Sequence, residues 1–238
     1  MQIIANDKFV RSRVKIGNIA NFASMGLLAV GFVISLQQQT LGSIAVFLAY
    51  VAMIGAFLLL SYGRTFSRRW GPRFRQDQWL IPALRGTDNK YTMFNFASKE
   101  LPDHLLVGPG GLFVLVPRSN GGTILFENGK WSRGSAGSTI LRGISEGGLG
   151  NPFIDVRIAL TKLAEYLKKH GSQDLIDGLE ARPVLVFTNP GVQLRVRNAP
   201  ISVVHAKDLR SIIRRAKPIL APEKVEELKK VLSREVEP

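Results

Sequence analysis

IGNIANFASMGLLAVGFVISL at residues 16–36 and LGSIAVFLAYVAMIGAFLLLSY at residues 41–62 stand back to back, with only QQQT at 37–40 between them. Neither stretch contains an Asp, Glu, Lys or Arg, and each is long enough to cross a hydrocarbon core of ~30 Å as a helix. A break this short leaves no room for a loop domain, so the pair predicts a transmembrane helical hairpin that crosses and returns. A soluble pair of core helices is one alternative. A cleaved signal peptide is another, but it needs a short apolar region and a small-residue cleavage site. Here a Gln-rich run leads straight into the second apolar stretch.

The flanks predict the side. Lys8, Arg11, Arg13 and Lys15 precede the first stretch; Arg64, Arg68, Arg69, Arg73 and Arg75 follow the second; the turn carries no charge. Basic flanks stay in the cytoplasm. The expectation is a multi-pass membrane protein with two spans and both termini cytoplasmic. It divides into a basic N-terminus over 1–15, the hairpin over 16–62, a basic juxtamembrane linker over 63–75, an α/β domain over 76–217 and a C-terminal helix over 218–238.

The formal charge is +14 over 238 residues, which invites a nucleic-acid partner. Much of the excess sits beside the apolar stretches. Residues 64–75 hold five arginines and no acid, interleaved with Phe66, Trp70 and Phe74. Arginines near an anionic leaflet gain ~1 kcal/mol each, and aromatic rings prefer the interface, so anionic lipid headgroups are the expected contact of these arginines. With no cysteine, thiolate metal sites and cysteine nucleophiles are excluded. Subtracting the hairpin leaves roughly 170 residues, enough for one domain with its own core.

From Gln76 the texture becomes that of an α/β domain. Residues 77–85 predict a short helix despite Pro82. Residues 91–96, 104–107, 112–116 and 123–126 predict short strands in an antiparallel meander, with Pro109-Gly110-Gly111 and Asn120-Gly121-Gly122 as turns. Residues 132–150, rich in Gly and Ser, predict a long loop. Asn151-Pro152 opens a helix carrying Val156, Leu160, Leu163 and Leu167, closed by Lys168-Lys169-His170-Gly171. Residues 183–187 are continuously apolar and β-branched, as in a strand buried on both faces. Residues 193–196 and 201–204 predict a further strand pair, and helices over 207–217 and 222–234 finish the chain. The order is αβββαβ, which a mixed sheet clamped by helices would satisfy.

The block Asp103-His104-Leu105-Leu106-Val107-Gly108-Pro109-Gly110-Gly111-Leu112-Phe113-Val114-Leu115-Val116-Pro117-Arg118 resembles the centre of a NERD (nuclease-related) domain, whose pattern runs from an Asp through a Gly-Pro-x-Gly turn to Glu-x-Lys. Asp77 in an upstream helix, Gly122-Thr123-Ile124 with Trp131, Asn151-Pro152, and Phe187-Thr188-Asn189-Pro190 match the family's other segments in order. The resemblance covers about residues 76–215. It implies the restriction-endonuclease-like PD-(D/E)XK fold. In active members the Asp and Glu hold a Mg²⁺ while the Lys orients and activates the attacking water.

Carried onto this chain, the Asp is Asp103, the Glu position is Val116 and the Lys position is Arg118. Valine cannot ligate a cation. Arginine can stabilise an anion but cannot accept a proton. Pro117 between them lacks an N–H and argues for an edge or strand end. The resemblance thus implies a degenerate site with no cofactor, and a binding or interaction module whose protein partners the sequence does not name. Nucleic acid is one candidate ligand. The alternatives are a Mg²⁺-dependent nuclease whose second acid has moved to Asp155 or Asp77, and a purely structural membrane assembly module. As a plain helix residue, Asp155 complements the dipole of its first turn. His104, His170 and His205 are dispersed without metal-ligand spacing, and Arg210, Arg214, Arg215 and Lys217 form a basic helix face.

Overall fold

A computed structural model describes residues 1–37, 39, 42–71, 75–134 and 149–236. Arg73 and the Arg68 side chain lie outside the described residues, as does most of the expected loop, residues 135–148. The chain divides into two compact units, one formed by Asp7–Arg75 and the other by Met1–Asn6 together with Gln76–Pro238.

The first unit is a pair of helices, α1 (Asp7–Leu36) and α2 (Ser43–Trp70). Both are long and apolar enough to cross a membrane. They outrun the apolar stretches: at 1.5 Å per residue, 30 and 28 residues give about 45 and 42 Å. Lys8, Arg11, Arg13 and Lys15 therefore lie on α1, and Arg64 and Arg69 on α2, where the sequence suggested flanking segments. Lys and Arg are good helix formers, so the ladder continues until Gly71, whose N–H bonds the Ser67 carbonyl at 2.9 Å. Phe22, Phe32, Phe47 and Phe57 are 65–73% exposed. Core helices of a soluble protein bury such faces.

Small residues bring the two helices together. Ala45, Ala52 and Ala56 are buried, and a Cβ on Gly31 would stand 3.0 Å from that of Ala52. Gly17 lies under Phe66 and Gly63 under Asn21, whose amide donates to Ser67 Oγ at 3.3 Å. Gly26 faces open space instead.

The second unit is a mixed α/β domain. Among the described residues its main sheet runs β1 (Gln2–Ala5), β2 (Thr92–Asn95), β3 (His104–Gly108), β4 (Gly111–Arg118), β7 (Ala181–Phe187) and β9 (Ser202–His205). β2, β3 and β4 are antiparallel; β4, β7 and β9 are parallel. The helix α3 (Asp77–Ala83) precedes β2, and α4 (Pro152–His170) connects to β7, so the order αβββαβ is present. Alternation along β4 sorts the core. Leu112, Val114 and Val116 face α4 and α7 (Pro222–Ser233), while Phe113 and Leu115 face α3 and α6 (Ala206–Arg215). The short helix α5 (Gln173–Ile176) follows α4.

Four expectations are corrected. The N-terminal residues Gln2–Ala5 form an edge strand, parallel to β2 with Gln2 opposite Thr92 and Ala5 opposite Asn95. The fourth meander strand, β5 (Thr123–Glu127), leaves the main sheet and pairs with β6 (Lys130–Arg133) and β8 (Gln193–Val196) in a smaller sheet. It does so because β7, buried from Val184 to Phe187, takes the free edge of β4. The pair expected at 193–196 and 201–204 is split for the same reason, with β8 in the small sheet and β9 on β7. The expected loop also begins later, since Ser132 and Arg133 belong to β6.

Candidate functional site

The carboxyl ends of β4 and β7 meet where Arg118 lies opposite Phe187, the end of a run of parallel strands that in α/β proteins commonly receives ligands. Thr188 N–H donates to the Arg118 carbonyl at 2.8 Å, and the Thr188 hydroxyl donates to Gln76 Oε1 at 2.9 Å. His205, at the end of β9, lies with Nε2 3.1 Å from the Asn189 carbonyl, and its Nδ1 accepts from Lys207 N–H at 3.1 Å. Four segments distant in sequence are thus tied to one sheet end.

α4 supplies the acid. Asn151 caps it by accepting from Phe153 N–H at 3.1 Å, Pro152 occupies the first turn, and Asp155 follows in that turn. Parity puts Arg118 on the same sheet face as Val116, toward α4, and its guanidinium pairs with the Asp155 carboxylate. The pair is partly sheltered, with side-chain exposures of 24% for Arg118 and 44% for Asp155. Burial pushes the Arg118 guanidinium below its ordinary pKa. Its Nε is buried without a hydrogen-bond partner among the described residues. Val116 is buried in the core cluster that includes Leu105, Val156 and Phe187.

The aligned Asp103 sits just before β3, half-buried, and its carbonyl accepts from Phe96 N–H at 2.7 Å. Continuing the register of Leu105 with Val114 brings Asp103 level with Val116. Asp77 is buried at the start of α3, the helix on the opposite sheet face. The structure thus brings Arg118 and Asp155 together. Among the described residues, Asp77, Asp103 and Asp155 do not form a cluster of three ligand atoms. Pro117 lies opposite Val186 of β7, beyond the last β3 pair at Val114, so the missing N–H falls near the strand end.

The histidines divide. His104 is buried, with Nδ1 2.8 Å from Asn95 Oδ1, a structural contact. His170, at the end of α4, stands with Glu100 and Glu235, the ligand atoms of the three within 4.8 Å of one another. Residues so far apart in sequence leave no spacing signal, which is why reading the chain alone missed them. No family model, curated protein or solved structure matches the chain.

Proposed function

We propose that this protein is a membrane-anchored, NERD-like domain that has lost metal-dependent catalysis and acts as a binding or interaction module at the cytoplasmic face. The observation that carries this reading is the Arg118–Asp155 pair. The acid best placed to replace the missing Glu is already neutralised by the residue at the Lys position, and the Glu position itself is a core valine. A Mg²⁺ site needs several uncommitted oxygens. The order αβββαβ supports the restriction-endonuclease-like assignment. Two exposed apolar helices with basic outer ends support the anchor, with anionic lipids as the partner of Arg64, Arg69 and Arg75. Pairing of β1 with β2 favours placing the N-terminus on the same side as the domain, and the positive-inside rule names that side cytoplasmic.

The test uses the full chain in nanodiscs, with single- and double-stranded DNA and RNA and with Mg²⁺ or Mn²⁺. The expected result is no metal-dependent cleavage. Nucleic-acid binding with a steep salt slope would name the ligand class. Cleavage that Asp155→Asn abolishes would overturn the proposal in favour of a rearranged nuclease.

A further inference from the structure

We infer that Glu100, His170 and Glu235 form a divalent transition-metal site of the zinc class, separate from the Arg118 region. Three segments converge there: the connection between β2 and β3, the last residue of α4, and the turn after α7. One nitrogen and two carboxylate oxygens lie within 4.8 Å of one another. Ligation needs the separations between these atoms to close by about 1.3 Å at most, since donors ~2.0–2.2 Å from a tetrahedral zinc ion stand about 3.5 Å apart.

His170 supplies the observation that points to a ligand. Its Nε2 is buried and has no hydrogen-bond partner among the described residues. Neither carboxylate accepts a hydrogen bond from this nitrogen. The ring packs against Tyr166 with centroids 4.5 Å apart, and the Tyr166 hydroxyl donates to the Val231 carbonyl at 3.2 Å. The Arg234 guanidinium donates to the His170 carbonyl at 3.1 Å. The ring is thus packed on one side by Tyr166, and its backbone is held by Arg234.

The carboxylates are held too. Ser98 Oγ accepts from Glu100 N–H at 3.1 Å and donates to the Glu235 carboxylate, tying the Glu100 backbone to the Glu235 side chain. Lys169 donates to Glu100 Oε2 at 3.1 Å. This ion pair is largely exposed, at 62% and 40%. Exposed pairs contribute little, so a divalent cation displaces the ammonium readily. One imidazole with two carboxylates suits zinc. Magnesium and calcium favour all-oxygen shells. A bound cation would fasten the residues after α7 to the β2–β3 connection and the end of α4.

Untagged full chain, stripped with chelator and reconstituted in nanodiscs, is titrated with zinc chloride by calorimetry and with cobalt chloride by visible absorption. The expected result is one equivalent bound, a rise in unfolding temperature, and a cobalt d–d band. Binding should weaken more than tenfold in Glu235→Gln, a change near the chain end that leaves the core untouched, and more than tenfold in His170→Gln. Magnesium chloride should not compete. The inference is overturned by absence of saturable zinc binding, or by Glu235→Gln or His170→Gln variants that bind zinc as tightly as the parent.

Discussion

Arg118, the last residue of β4, pairs through its guanidinium with the carboxylate of Asp155 in the first turn of α4. The contact joins a strand end to a helix start on one face of the main sheet. The two charges neutralise each other at this sheet end. Within the pair, Arg118 Nε is buried without a hydrogen-bond partner among the described residues.

Removing Asp155 leaves a sheltered guanidinium with no counterion. Asp155→Ala should lower stability by about 1–2 kcal/mol, between the values for exposed and fully buried pairs. Combined with Arg118→Met in a double-mutant cycle, the coupling energy should be ~1 kcal/mol. Denaturant unfolding measures both, and a coupling of zero would mean that the pair does not organise the site.

Tyr166 is buried, and burial, with a smaller contribution from the Glu235 charge, pushes its phenol up from the ordinary 10.0. A group whose pKa is raised on folding contributes stability that is fully present below the unfolded pKa and is lost as pH rises through the folded one. Wild-type stability should therefore fall as pH climbs past about 10. Tyr166→Phe should be flatter in that window and about 1 kcal/mol less stable at neutral pH, having lost the bond to Val231. Equal alkaline slopes for the two proteins would count against the assignment.

The helix pair should distinguish its glycines. Gly63→Val would drive a side chain into Asn21, and Gly31→Leu would meet Ala52 and the Ala49 carbonyl, whereas Gly26→Leu points into open space. Overpacking typically costs 1–3 kcal/mol. Thermal unfolding in detergent should show Gly63→Val and Gly31→Leu destabilised and Gly26→Leu near wild type. A destabilised Gly26→Leu would mean that the helices pack through another face.

Pairing of Gln2–Ala5 with Thr92–Asn95 has a topological consequence. Cysteines placed at Gln2 and Ser211 should react with an impermeant thiol reagent from one side of a sealed vesicle, and a cysteine at Gln37 from the other. Reaction of Gln37 from the same side as Ser211 rules out the two-span reading. In addition, Ile4→Ala, which removes a side chain packed on the main core, should cost ~1–3 kcal/mol and speed amide exchange across Thr92–Asn95.

The hairpin, the helix from Pro152 and the buried strand near Val184–Phe187 were legible in the sequence because each is governed by local terms. These are an uncharged apolar length, a cap with a periodic stripe, and an unbroken β-branched run. The strand status of Gln2–Ala5 was not legible. Four residues carry too little pattern, and only the distant partner Thr92–Asn95 makes them a strand. The destination of β5 was equally hidden, since the choice between β4 and β8 depends on β7 claiming the β4 edge first. At the candidate site, the sequence by itself determined that neither Val116 nor Arg118 can ligate a cation, because residue type alone decides that. That Arg118 meets Asp155, and that Glu100, His170 and Glu235 converge, was decided only by the tertiary structure. Both depend on how α4 lies on the sheet, and helix docking is set by the summed packing of Val156, Leu163 and Leu167 against the core rather than by the residues that end up in contact.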